Sequence, residues 1–81
     1  MRVPIMMQQL GPDVESGVIV VWLKEIGETV AKGDPLVEVE TEKAILEMEA
    51  LDSGVLIETI SGIGAEGQGG EVIGYLEVQD Q

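Results

Sequence analysis

The sequence predicts an all-β domain, on three observations. Short apolar or alternating runs of about 4–8 residues recur between turn signals. Helix-period patterning is nearly absent, and glycine takes 11 of the 81 positions, enough to supply many tight turns. Hydrophobic residues make up 44% of the chain with one Trp, one Tyr and no Phe, so a core must come from Val, Ile, Leu and Met, whose β-branched share favours strands. A chain of 81 residues has room for one domain, residues 1–81, with a core that hides about 60% of the surface the unfolded chain exposes.

The expected strands, in order, are Val3–Met6, Val18–Leu23, Leu36–Thr41, Ala44–Glu49, Val55–Ile60 and Ile73–Val78. Turns are expected at Gly11-Pro12-Asp13, Ile26-Gly27-Glu28, Lys32-Gly33-Asp34-Pro35, Asp52-Ser53-Gly54 and across the glycine-dense Gly62–Gly70 stretch, where residues suit positive φ or Pro-led turns. The longest apolar run, Val18 to Leu23, is six residues, far short of the ~20 a membrane-spanning helix needs. Met1-Arg2-Val3-Pro4 does not open a signal peptide, because Gln8 and Gln9 interrupt the apolar stretch that would have to follow. A soluble protein, or a soluble piece of a larger one, is the expectation.

Laying one half of the chain on the other at an offset of 37 pairs Ser16 with Ser53, Gly17 with Gly54, Val18 with Val55, Gly27 with Gly64, Gly33 with Gly70 and Glu40 with Glu77. Conservative pairs fill the gaps, among them Ile19 with Leu56, Leu23 with Ile60, Ile26 with Ile63 and Leu36 with Ile73. Two copies of one strand-turn-strand unit, each too small to close a core alone, account for this. Chance matching of common residues is the alternative, and the repeated glycines weigh against it.

Four basic residues stand against 16 acidic ones, a formal net charge of -12. Such a field repels polyanions, so nucleic acid and anionic membranes are poor partners. A protein with a basic docking surface is a good one, and a solvated surface that only confers solubility is the other reading. The absence of Cys removes disulfides, thiolate nucleophiles and the usual zinc sites. With no His, and with Ser16, Ser53 and Ser61 at expected turns where local backbone hydrogen bonds suit them, autonomous catalysis has no nucleophile–base pair. Gly62-Ile63-Gly64-Ala65-Glu66-Gly67 spells G-x-G-x-x-G, but the chain ends before the helix, strand and acidic residue a dinucleotide site requires. The carboxylates of 38–49 alternate along a strand and lack the loop geometry of a calcium site.

The segment from Leu36 to Glu49 specifies a hairpin. With a four-residue turn from Thr41 to Ala44 and Glu42 and Lys43 at its centre, Val39 meets Leu46 and Val37 meets Met48 on a wholly apolar face. Glu38 then opposes Glu47, and Glu40 opposes Ile45, on the other. A slip of one residue would bury the glutamates. Lys43 thereby comes to the outermost point of the hairpin, among glutamates at 38, 40, 42, 47 and 49. Residue chemistry alone also allows an ordinary polar tip there.

Glu40-Thr41-Glu42-Lys43-Ala44 resembles the modification site of lipoyl domains, where a turn lysine carries lipoic acid in amide linkage. Leu10-Gly11, Asp13-Val14 and Gly17, then Trp22-Leu23, Gly27-Glu28-Thr29-Val30, Gly33 through Val39 and Gly54-Val55-Leu56 look like the family's successive landmarks, and cover about 70 of the 81 residues. Three departures stand out: Glu42 where Asp is commoner, Pro4 about four residues further from Leu10-Gly11 than expected, and Gly67-Gln68-Gly69-Gly70-Glu71 without the usual Val and Pro.

The resemblance implies a flattened barrel-sandwich of two four-stranded sheets related by a pseudo-twofold axis. It implies lipoic acid on Lys43, with Glu42 and Ala44 as the flanking recognition residues, and the Gln8–Ser16 loop beside the lysine. The lipoyl dithiolane would carry acyl groups and electrons between a 2-oxo acid decarboxylase, an acyltransferase and dihydrolipoamide dehydrogenase, the chemistry belonging to the cofactor. The domain would be a non-catalytic, monomeric carrier, part of a dihydrolipoamide acyltransferase and substrate of a lipoate-attaching enzyme. Its compartment would be the cytoplasm of a prokaryote or the mitochondrial matrix of a eukaryote. The alternatives are the biotin carrier domain of a carboxylase, whose site resembles Ala-Met-Lys-Met, with Glu42 and Ala44 at the Met positions here, and an unmodified barrel-sandwich assembly module.

Overall fold

Eight strands build the computed structural model, which describes residues 1–8, 10, 14 and 16–79. They are β1 (Arg2–Met6), β2 (Ser16–Trp22), β3 (Thr29–Val30), β4 (Pro35–Glu40), β5 (Ile45–Glu49), β6 (Gly54–Thr59), β7 (Glu66–Gln68) and β8 (Val72–Glu77). No helix of the described residues is long and apolar enough to cross a membrane. The six expected strands are all present, with ends shifted by one or two residues. β3 and β7, two and three residues long, are too short to show any periodicity and were not expected from the pattern. The Gly11-Pro12-Asp13 turn lies outside the described residues.

The strands form two antiparallel sheets, ordered β1-β8-β6-β3 and β5-β4-β2-β7. The two orders are the same list once β1 is matched with β5, β8 with β4, β6 with β2 and β3 with β7. Backbone hydrogen bonds between turns obey the same exchange. The Ile19 N–H donates to Ala65 O (2.9 Å) as Leu56 donates to Glu28 O (3.1 Å); Gly64 donates to Ile19 O (2.8 Å) as Gly27 does to Leu56 O (2.7 Å). Leu23 to Leu36 O is repeated by Ile60 to Ile73 O. Bulges repeat too: the pairing of β4 with β5 skips Leu36 and that of β8 with β1 skips Ile73, and these extra residues turn inward, 2% and 1% exposed. The halves are interlocked, since β3 of the first half pairs with β6 and β7 of the second pairs with β2. Neither half could therefore complete a sheet alone.

The repeated glycines serve two different ends. Gly27 and Gly64 (φ 95° and 88°) and Gly33 and Gly70 (φ 94° and 92°) hold left-handed turn conformations. Gly17 and Gly54 do not; they lie within β2 and β6, so the expected Asp52-Ser53-Gly54 turn ends before Gly54. There the constraint is close approach: a Cβ on Gly17 would stand 2.4 Å from Val39 Cγ1, and one on Gly54 would stand 2.3 Å from the Glu77 carbonyl oxygen. Two of the serines differ from expectation as well, their hydroxyls bonding across the fold instead of locally: Ser53 Oγ accepts from the Lys32 N–H (2.9 Å) and Ser16 Oγ donates to Glu66 (3.3 Å). The backbone carbonyl of Ser61 accepts from the Trp22 indole (2.7 Å), a further tie between the two halves.

Between the sheets lie Met7, Leu10, Ile19, Val30, Leu36, Val37, Val39, Met48, Ala50, Leu56, Ile73 and Leu76, and no buried polar side chain is found among the described residues. One pair explains how the unusual Gly67–Glu71 segment still forms β7. The repeat sets Gly67 on Val30, and the matching of β1 with β5 sets Met7 on Ala50. Met7 Cε lies 2.8 Å from where a Cβ on Gly67 would be, so a long side chain fills what the missing Val leaves. Met7→Ala is expected to cost about 2–3 kcal/mol through the cavity it opens. Adding Gly67→Val, which restores the Val/Ala arrangement of the first half, is expected to recover about 1–2 kcal/mol of that. Urea denaturation of both singles and the double would check it, and additive losses would refute the compensation.

Candidate functional site

The β4–β5 hairpin has the register its apolar pattern requires. Val37 opposes Met48, Glu38 opposes Glu47, Val39 opposes Leu46 and Glu40 opposes Ile45. Val37 and Val39 are fully buried and Met48 is 5% exposed, whereas Glu40 and Glu47 face solvent. Burial of the three apolar side chains anchors the strands, each contributing about 1.5–3 kcal/mol, and so locates the turn relative to the core.

The turn itself is ordered by Thr41. Its backbone N–H donates to Ala44 O (2.8 Å), and its hydroxyl donates to the same oxygen (3.0 Å). That hydroxyl also accepts from the N–H groups of Lys43 (3.2 Å) and Ala44 (3.1 Å). One side-chain oxygen thus bonds both backbone amides on the far side of the turn, a role usually taken by a carbonyl. Sequence reasoning placed Thr41 at the turn but assigned it no part; a Thr or Ser two positions before the tip lysine was the available signal.

Glu42, Lys43 and Ala44 are all exposed. Lys43 makes no ion pair and no side-chain hydrogen bond among the described residues. The other cations differ. Arg2 pairs with Glu58 and stacks over the Tyr75 ring at 4.4 Å, and Lys24, 21% exposed, lies between Glu28 (3.5 Å) and Asp34 (3.6 Å). Lys32 is exposed, but its turn is held to the 50–53 segment by Gly33 N–H to Ala50 O, Ala50 N–H to Asp34 O and Lys32 N–H to Ser53 Oγ. Only Lys43, of these four, stands at the tip of a hairpin.

Beside the turn runs an open groove of about 500 Å³, lined by Val14, Ser16, Gly17, Val18, Glu40, Thr41, Glu42 and Glu66. The structure thus brings Val14 and Ser16, the described end of the expected recognition loop, alongside the lysine turn; Gln9, residues 11–13 and Glu15 lie outside the described residues. No group of acidic side chains fit to hold a metal ion occurs among the described residues.

The fold has a second place equivalent to this turn. The offset of 37 takes Thr41 to Val78, and the matching of β5 with β1 takes Ala44 to Met1. The Val78 N–H donates to Met1 O at 2.8 Å, the same bond at the same length as Thr41 N–H to Ala44 O. The molecule measures 39 × 21 × 18 Å, and these two places lie at opposite ends of the strands.

The family model for biotin-requiring enzymes, covering biotin and lipoyl attachment domains, matches residues 3–76. The β subunit of the pyruvate dehydrogenase E1 component of Rhizobium meliloti is 42% identical over 67 residues, 83% of this chain and 15% of the relative. Component 2 of the mitochondrial dihydrolipoyllysine-residue acetyltransferase of the Arabidopsis thaliana pyruvate dehydrogenase complex is 45% identical over 76 residues, 93% of this chain and 14% of the relative. The chain thus spans about one seventh of the length of these relatives. Among solved structures, the lipoyl domain of the 2-oxoglutarate dehydrogenase complex of Azotobacter vinelandii superposes with a TM-score of 0.72 and 28% identity, over 95% of this chain and 99% of that one.

Proposed function

This chain belongs to the biotin/lipoyl family of carrier domains, and on that premise we propose that it is a lipoyl carrier domain of a 2-oxo acid dehydrogenase complex, with Lys43 bearing the lipoyl group. The observation that carries the reading is the exposed Lys43 at the tip of a hairpin whose backbone is pinned on both sides. An amide-linked arm needs an accessible primary amine on a stem clear of the barrel, and Lys43 fits that need. The bound group supplies a dithiolane for acyl and electron transfer. The protein's own part is presentation: the buried face of β4–β5 fixes the turn, and the stem of Lys43 lets its amine sweep through solvent at high effective concentration near successive active sites.

The partners follow from the same reading: a 2-oxo acid decarboxylase, an acyltransferase, dihydrolipoamide dehydrogenase and the lipoate-attaching enzyme. The isolated domain is a monomeric, non-catalytic carrier, working where such complexes work, in the bacterial cytoplasm or the mitochondrial matrix. Glu42 and Ala44, which flank Lys43 where a biotin site would have Met, favour lipoate over biotin. Intact mass and peptide mapping after incubation with ATP and either lipoate and its ligase or biotin and its ligase test this. One lipoyl adduct on Lys43 and no biotin adduct is the expected result. An adduct on Lys24 or Lys32, or biotin in preference to lipoate, would overturn the reading.

A further inference from the structure

We propose that Thr41 is a positioning residue for the modification of Lys43: its hydroxyl holds the turn in the one conformation from which the amine reaches an attaching enzyme. The inference rests on Lys43 being the carrier lysine and adds the residue that aims it.

Three observations carry it. First, the Thr41 hydroxyl has both its donor and its acceptor capacity engaged within the turn, giving to Ala44 O and receiving from Lys43 and Ala44 N–H. Second, apart from these and the Thr41 N–H bond to Ala44 O, no hydrogen bond or ion pair from another described residue restrains residues 42–44. Their side chains are exposed, so the turn lacks the apolar packing that fixes the strands on either side. Third, the backbone bond that ends the strand pair forms without a hydroxyl. At the opposite end of the molecule Val78, the counterpart of Thr41, makes the same cross-strand bond to Met1 O at 2.8 Å with a side chain that has no hydroxyl, where no turn joins the two residues and the Met1 ammonium donates back to Val78 O (2.7 Å). The additional bonds of Thr41 therefore act on the turn and not on the pairing of β4 with β5. A lysine whose own amide is tied down leaves the turn in a defined direction, and misplacement of a reacting group by about 1 Å can cost roughly 100-fold in rate.

The test compares the parent with Thr41→Val, which keeps the shape and β-branching, and Thr41→Ser, which keeps the hydroxyl. Three quantities are read on each: the initial rate of enzymatic lipoylation, the rate of non-enzymatic acylation of Lys43 by a small N-hydroxysuccinimide ester, and amide hydrogen exchange at Lys43 and Ala44. Thr41→Val is expected to lose protection at both amides and to be lipoylated about tenfold more slowly, with chemical acylation unchanged because a small reagent needs only exposure. Thr41→Ser is expected to stay close to the parent in all three. Enzymatic modification of Thr41→Val at the parental rate despite lost protection would overturn the proposal, as would a Ser variant as slow as the Val variant. Failure of the parent itself to be lipoylated at Lys43 would instead bring down the carrier reading and this inference with it.

Discussion

Exchange of the two central turn residues, Glu42→Lys together with Lys43→Glu, is expected to yield a folded domain that is lipoylated at least about 100-fold more slowly than the parent. Composition and net charge are unchanged, and both positions are exposed, so the urea midpoint should correspond to a stability within about 0.5 kcal/mol of the parent. The Thr41 hydroxyl binds the backbone amides of residues 43 and 44 whatever side chains those positions carry, so the turn should keep its shape. What changes is the origin of the lysine stem, displaced by about 3.8 Å along the backbone and leaving at a different angle. An enzyme that recognises the folded hairpin must then deliver its activated acyl group to an amine out of line. Intact mass followed over time measures the rate. Parental kinetics would mean that any exposed lysine among carboxylates suffices, and that hairpin geometry does not specify the site.

Gly54→Ala should be the most damaging alanine substitution among the glycines whose surroundings are described, costing about 4 kcal/mol. The added Cβ would lie 2.3 Å from Glu77 O and 3.0 Å from Glu77 C. Both are backbone atoms of β8, the strand paired with β1 on one side and β6 on the other. Relief requires moving that strand, which strains the ladders on both sides, whereas a flexible side chain could simply have turned away. At roughly 4–8 °C per kcal/mol for a domain of this size, the melting temperature should fall by on the order of 20 °C. Gly62→Ala is the control, because its Cβ meets nothing within 4 Å and its φ is not positive. Equal melting of the two variants would show that crowding at Gly54 is not what the glycine is for.

How much of this was legible beforehand depends on the length scale of the signal. The hairpin register was readable because Val37, Val39, Leu46 and Met48 can share a buried face in only one alignment, and the structure has that alignment. The six longer strands were readable for the same reason. β3 and β7 were not, since two or three residues have no period; they exist because β6 and β2 offer them open edges. The recurrence of Gly17 and Gly54 was visible, but its cause was not: a glycine demanded by positive φ and one demanded by a neighbouring backbone look alike in sequence. Nor was it readable that Met7 fills the place of the usual Val at position 67, because the two positions are 60 residues apart. For the candidate site, the place of Lys43 was legible and the agent of its placement was not, since a threonine in a turn has several possible hydrogen-bond partners.

The exchange of β3 and β7 between sheets also bears on the order in which the molecule assembles. β4 and β5 are the one pair of consecutive described strands that bond directly to each other, and a hairpin of this kind closes in about 1–10 μs. Every other pairing spans a longer loop, up to that of β1 with β8, where Arg2 meets Glu77. Such distant contacts bear the entropy of loop closure before they are rewarded, and make folding slower. On a ribosome the lysine hairpin is complete before β6, β7 and β8 exist, while β1 waits unpaired for the last strand to emerge. The hairpin bearing Lys43 is thus the strand pair closed by the shortest loop, and the opposite sheet that covers its apolar face is complete only when β8 is in place.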